Sequence, residues 1–240
     1  RGPEETVVRV VTESGLGHVT KQSSTKCGFD CTGFVAAAVI GAEARFYLIS
    51  ARHCDPGYVW ATIFGAERYL KGLRRLEPPV DGVVADLSLT RLPRVWLRGR
   101  EGEALPLSPA DLDVSGRVAE AHVFDGALPR VLPLRFGDGT FLVDCPEGQP
   151  PANNWRPRPG FVYGTAAPGC ATPGMSGGAV LAGSTLAGVL VERSGSAVAI
   201  SPLHLGLWVR GATLSTYLLE SDPDEGAPEA ASEGSVFTIR

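Results

Sequence analysis

Acyl transfer to a serine hydroxyl needs a base within reach, a group that holds the base, and N–H donors facing the developing oxyanion. Residues of each type stand in suitable settings in this chain. It has only four histidines: His18, His53, His122 and His204. Of these, His53 follows the hydrophobic run that ends in Leu48-Ile-Ser-Ala-Arg-His-Cys54, which predicts an imidazole at a strand end, open to a cleft. Ser176 lies in Gly174-Met-Ser-Gly-Gly178, where glycines on both sides permit a tight backbone that exposes the hydroxyl. The amides of Gly174 and Ser176 are the expected oxyanion donors. Asp86 opens the alternating segment Leu87-Ser-Leu-Thr-Arg-Leu92, where a partly buried carboxylate needs a partner that an imidazole N–H would supply.

The elements that must position these residues read as strands. Thr6–Thr12, Arg45–Ser50, Tyr58–Phe64 and Leu87–Leu92 are short and rich in β-branched or aromatic residues. Further candidates are Val118–Phe124, Arg130–Phe136, Thr140–Val143, Gly178–Leu181, Leu186–Val191 and Ala197–Ile200. The 30 glycines and 19 prolines follow no period and suit turns between such strands. The pattern predicts an all-β antiparallel barrel or sandwich. The polar stretch Gly102–Ser115 is the expected divide between two groups of strands, and Leu207–Leu219 is the candidate for a short terminal helix on the second group. Residues 220–240 are expected to form an acidic disordered tail.

Six acids against Arg240 in that tail hold −5 of charge, so a net charge of −4 leaves the rest of the chain near +1. No basic stripe with interleaved aromatics supports nucleic-acid binding. The longest apolar stretch, Gly33–Ala42, is too short to span a bilayer, and no signal peptide opens the chain. Arg1 in place of a methionine fits a processed or excised piece. Five cysteines, Cys27, Cys31, Cys54, Cys145 and Cys170, allow at most two disulfides; the competing reading is five reduced thiols.

The three chemical segments together resemble one family. Ser50–Cys54 is similar to the histidine segment of trypsin- and chymotrypsin-like serine peptidases, Ala85–Leu92 to their aspartate strand, and Pro173–Val180 to their serine loop. The order His, Asp, Ser along the chain is also that family's. The resemblance covers roughly residues 6–205. It implies two antiparallel six-stranded β-barrels, with residues 1–105 carrying His53 and Asp86 and residues 106–219 carrying Ser176. It implies a monomeric serine endopeptidase with a protein or peptide substrate and no metal or cofactor.

Met175 stands where the digestive members carry the aspartate that pairs with a new N-terminus, so that activation switch is not expected. Compact forms of this kind resemble bacterial trypsin-like enzymes and the polyprotein-processing proteases of positive-strand RNA viruses, the sobemovirus-like ones in particular. Cys170, Val191, Arg193 and Ala197 fall at the expected substrate pocket, which implies a small or apolar residue before the scissile bond. Leu190 replaces a histidine that some viral members use. In the family a cysteine after the catalytic histidine often bridges to the preceding strand, so Cys31–Cys54 is the preferred pair. Cys27 competes with Cys31 for Cys54, and Cys145–Cys170 is a possible second bridge. Two other readings remain: an inactive binding protein on the same fold, and a serine esterase.

Overall fold

The computed structural model describes residues 16–20, 30–40, 42–54, 60–64, 66–76, 79–80, 83–84, 86–107, 118–125, 128–136, 162–166, 175–194, 197–202, 218 and 220–222. The first group of strands is β1 (Leu16–Thr20), β2 (Asp30–Ile40), β3 (Glu43–Ser50), β4 (Trp60–Ile63), β5 (Ala66–Tyr69), β6 (Arg75–Leu76), β7 (Pro79–Val80), β8 (Val83–Val84), β9 (Ser88–Leu92) and β10 (Leu105–Pro106). The second is β11 (Val118–Asp125), β12 (Leu128–Phe136), β13 (Val162–Ala166), β14 (Ala179–Ala182), β15 (Thr185–Ser194) and β16 (Ala197–Pro202). In the first group the sheet order is β5-β4-β1-β2-β3-β9-β6, with β10 parallel to β2 and β7-β8 a separate hairpin. Its six longer strands thus carry the two-residue additions β6 and β10, and among the described residues this first, barrel-like sheet runs from β5 to β6 without closing. The second group closes into the six-stranded barrel β11-β12-β13-β16-β15-β14. Among the described residues no helix is long and apolar enough to cross a membrane.

Alternation along the strands builds two cores. Ala119, Ala121 and Val123 of β11 point into the second barrel with Leu132, Leu134, Val180, Ala187 and Leu190. Phe124 of β11 and Ala179 of β14, of the opposite parity, join the larger cluster built on Phe34, Tyr47, Leu48, Ile49 and Leu89 of the first, as do Leu186, Val189 and Val191 of β15, where register shifts at Ala187 and Val191 interrupt the alternation. The barrels therefore share an apolar seam. The strands β1, β5 and β13 were not legible as hydrophobic runs; β1 and β5 form because β2 and β4 offer them partners. The expected strands 6–12 and 140–143 lie outside the described residues.

Two expectations change. The strand at Leu87–Leu92 was expected to be half-buried, yet Leu87, Ser88, Leu89, Thr90 and Leu92 are all buried. The expected terminal helix was assigned to the second barrel. Its described end, with Leu218, Glu220 and Ser221 helical, is fastened instead to the first, and Asp222, assigned to the disordered tail, is buried there. Tyr47 of β3 and Arg91 of β9 bond to Asp222 on the face of the sheet that carries Leu89, while Ser88 and Thr90, the side expected to meet solvent, lie on the other face with Ser50 and Leu48. The remainder of 207–217 lies outside the described residues.

Candidate active site

The 3₁₀ turn Arg52–Cys54 continues from β3 and carries His53, while Asp86 precedes β9 with only Leu87 between them. Since β3 and β9 are antiparallel neighbours with Ser50 opposite Ser88, the two functional groups emerge from the same end of one ladder. The Asp86 carboxylate uses both oxygens. One accepts from the His53 backbone N–H at 2.9 Å, and the other lies 2.7 Å from the ring Nδ1. The ring orientation is thus set by two bonds to one side chain, leaving Nε2 as the nitrogen able to take a proton. The His53 side chain is 48% exposed and that of Asp86 24%, so the pair stands at the surface rather than in a core.

The serine loop is pinned from both barrels. Thr32 of β2 donates its N–H to the Ser176 carbonyl at 2.8 Å, and from β15 the Leu190 carbonyl accepts from Gly177 N–H at 2.6 Å while Leu190 N–H donates to Gly178 O at 2.9 Å. Gly177 has φ +94°, and a Cβ there would lie 1.8 Å from the Thr32 carbonyl oxygen, so only glycine fits this approach. Thr32 also accepts from Ser50 Oγ at its carbonyl (2.7 Å) and from Phe124 N–H at its hydroxyl (2.9 Å). One residue of the first barrel thus bonds to the Ser176 backbone and to β11 of the second. No sequence motif marks Thr32; its place beside Cys31 on the strand facing the cleft was the only available signal.

Ser176 Oγ donates to the Val191 carbonyl at 3.3 Å, and among the described residues it makes no hydrogen bond to His53. Val191 is the extra residue of a β-bulge: Leu190 pairs with Ile200 and Glu192 with Ala199. The bulge takes its carbonyl out of the ladder and leaves it for the serine. Hydrogen bonds of this kind often tighten only with substrate bound, and rotation about one Ser176 bond would redirect the hydroxyl.

Cys31 and Cys54 are joined by a disulfide with a Cα separation of 6.1 Å, and Cys54 Sγ lies 4.0 Å from the Ser176 carbonyl oxygen. The bridge therefore ties β2 to the histidine turn directly beneath the serine loop. Met175 is 1% exposed and anchors the start of that loop in the second core, an apolar plug where an ion pair stands in the digestive enzymes. Val191 meets the site through its carbonyl; its side chain is buried in the shared seam and is not an open pocket wall. Leu190 likewise faces the second core. Arg193 and Ala197 lie on the paired ends of β15 and β16. Gly174, Cys170, Cys27 and Cys145 lie outside the described residues.

The fold is that of chymotrypsin-like serine peptidases. It is shared with the active form of the Rv3671c protease from M. tuberculosis at TM-score 0.53 and 13% identity, over 84% of this chain and 86% of that one. It is shared with human heparin binding protein at TM-score 0.50 and 12% identity, over 82% and 92%. A third likeness is to the HtrA-type protease AlgW with tripeptide, at TM-score 0.50 and 16% identity over 80% of this chain, which spans 57% of that structure. No protein-family model matches the sequence, and no curated protein matches it. A fold that serves both proteases and a heparin binding protein leaves activity to be argued from the site.

Proposed function

We propose that this chain is a serine endopeptidase in which Ser176 is the nucleophile, His53 the general base and Asp86 the residue that orients the base. The observation that carries the reading is the two-point grip of Asp86 on His53, through the ring Nδ1 at 2.7 Å and the backbone N–H at 2.9 Å. A surface histidine without a task has no need of a ring fixed in one tautomer. An inactive binding protein would not require it either.

In the reaction, the Ser176 hydroxyl turns from the Val191 carbonyl toward His53 Nε2 and adds to the scissile carbonyl carbon as the proton passes to the imidazole. The Asp86 carboxylate stabilises the imidazolium, and the amides of Gly174 and Ser176 receive the oxyanion. Collapse breaks the C–N bond, His53 returns the proton to the leaving amine, and water releases the acyl group by the reverse path. The division of labour follows the two units, residues 1–105 with the acid–base pair and residues 106–219 with the nucleophile. Among the pocket positions Cys170, Arg193 and Ala197 no acid stands ready to pair with lysine or arginine, and with Arg193 the exception they are small or apolar, which favours a small or apolar residue before the cleaved bond. The strand β14 directly after the serine loop favours a peptidase over an esterase, whose serine more often precedes a helix.

The test is a fluorophosphonate probe followed by peptide mapping, alongside an unbiased peptide mixture. Labelling on Ser176 that disappears in Ser176→Ala, with internal peptide bonds cleaved, is the expected result. Labelling with ester turnover and no peptide cleavage would assign an esterase. No labelling of the folded wild type would leave a binding protein.

A further inference from the structure

Away from the cleft, the first barrel holds a second constellation that catalysis does not use. Asp222 is 3% exposed although it begins an acidic, small-residue stretch. Its carboxylate accepts from Tyr47 Oη at 2.9 Å and from Arg91 Nη1, and lies 3.4 Å from Arg74 Nε. Its backbone carbonyl accepts from Arg45 Nη1, and the Ser221 carbonyl accepts from Arg74 Nη2. Glu43, at 3.6 Å from Arg45 Nε and half exposed, is the other acid beside the group. Two guanidiniums and a phenol thus converge on one carboxylate and a third guanidinium holds the same residue's carbonyl, with Leu218 buried alongside as an apolar anchor. Burial first, and then the neighbouring Asp222, push the Tyr47 phenol above its ordinary range, as a donor held against a carboxylate out of water requires.

Apart from Arg74, which immediately precedes β6, the donors come from the two strands that lead to His53 and Asp86. Arg45 and Tyr47 stand on one face of β3, and Arg91 of β9 is the direct cross-strand partner of Tyr47. The same ladder ends at Ser50 opposite Ser88, beyond which the chain leads on one side to His53 and on the other back to Asp86. A carboxylate bonded to both strands therefore holds their register at one end, and the His53–Asp86 bonds depend on it at the other.

We propose that Tyr47, Arg74 and Arg91 form a carboxylate-binding pocket on the first barrel, flanked by Arg45 on the backbone carbonyl, that Asp222 is its built-in ligand, and that Asp222 is thereby a positioning residue for His53 and Asp86. The positioning part rests on the protease reading above. The pocket itself does not.

The experiment compares Asp222→Ala, Asp222→Asn and Asp222→Leu with wild type, with sodium acetate as the probe and sodium chloride as the ionic-strength control. In Asp222→Ala, kcat falls on the order of 10- to 100-fold, the scale of a misplaced catalytic group, while KM stays within about twofold. Acetate raises both Tm and kcat of this variant. It leaves wild type and Asp222→Leu unchanged, because Asp222 or the leucine side chain fills the pocket. A folded Asp222→Ala with wild-type kcat overturns the proposal, as does one whose Tm ignores acetate. If Asp222→Ala does not fold, Asp222→Asn keeps the shape without the charge; a kcat loss in the folded variant supports the proposal and full activity refutes it. A wild-type protein that neither labels nor cleaves peptide defeats the protease reading, and with it the positioning role. The acetate-induced shift in Tm then decides the pocket on its own.

Discussion

Replacing Gly177 by alanine tests whether the close approach of the two barrels sets the position of the nucleophile. The new Cβ would lie 1.8 Å from the Thr32 carbonyl oxygen and 2.5 Å from Ser50 Oγ, and the residue has φ +94°. Neither neighbour is a free side-chain end, since Ser50 Oγ is itself bonded to that carbonyl at 2.7 Å. Real Cβ contacts begin at about 3.0 Å, so the serine loop and β2 must part by more than 1 Å. Parting breaks the 2.8 Å bond from Thr32 N–H to the Ser176 carbonyl. Left-handed strain of roughly 1–2 kcal/mol and a lost hydrogen bond of about 1 kcal/mol give about 2–3 kcal/mol of destabilisation. For a chain of this size that is a fall in Tm of roughly 4–12 °C. A nucleophile displaced by about 1 Å costs on the order of 100-fold in rate. Thermal unfolding read together with the rate of fluorophosphonate labelling measures both. Labelling within threefold of wild type and an unchanged Tm would refute the claim that this contact positions Ser176.

Asp86→Asn retains the shape but replaces one accepting oxygen with a donating amide facing a His53 N–H; kcat is expected to fall about 10⁴-fold with little change in Tm, as steady-state kinetics would record. Tyr47 holds its proton more tightly folded than unfolded, because of burial and then Asp222. Its contribution is therefore full below about pH 10, where an unfolded tyrosine ionises, and is lost above it at about 1.4 kcal/mol per pH unit. Denaturant titrations between pH 9 and 11 should show a steeper loss in wild type than in Tyr47→Phe, and equal slopes would contradict the Tyr47–Asp222 bond. Removing the Cys31–Cys54 bridge, which closes 23 residues, is expected to destabilise by about 3 kcal/mol. Calorimetry of the double serine variant checks this, and its labelling rate should fall too, since Cys54 underlies the Ser176 carbonyl.

The candidate site was legible in the chain because its signals are local. Hydrophobic runs with turn residues between them mark strands whatever they pair with, and Gly174-Met-Ser-Gly-Gly178 can be read as an exposed serine without knowing what faces it. His53 after β3 and Asp86 before β9 likewise announce their ends of strands. What the sequence could not say is which strand ends meet. The His53–Asp86 bonds join residues 33 apart, Phe124 reaches Thr32 across 92 positions, and Tyr47 meets Asp222 across 175. Val191 contributes a carbonyl, which every residue has, and only the bulge opposite Ile200 and Ala199 frees it. Asp222 reads as one more acid in a solvated tail until Arg45, Arg74 and Arg91 are assembled around it. Residue type and neighbouring residues encode what a group can do. Which groups share a site is decided by the closure of two sheets against each other, because backbone donors and buried charges find partners only when distant segments pack.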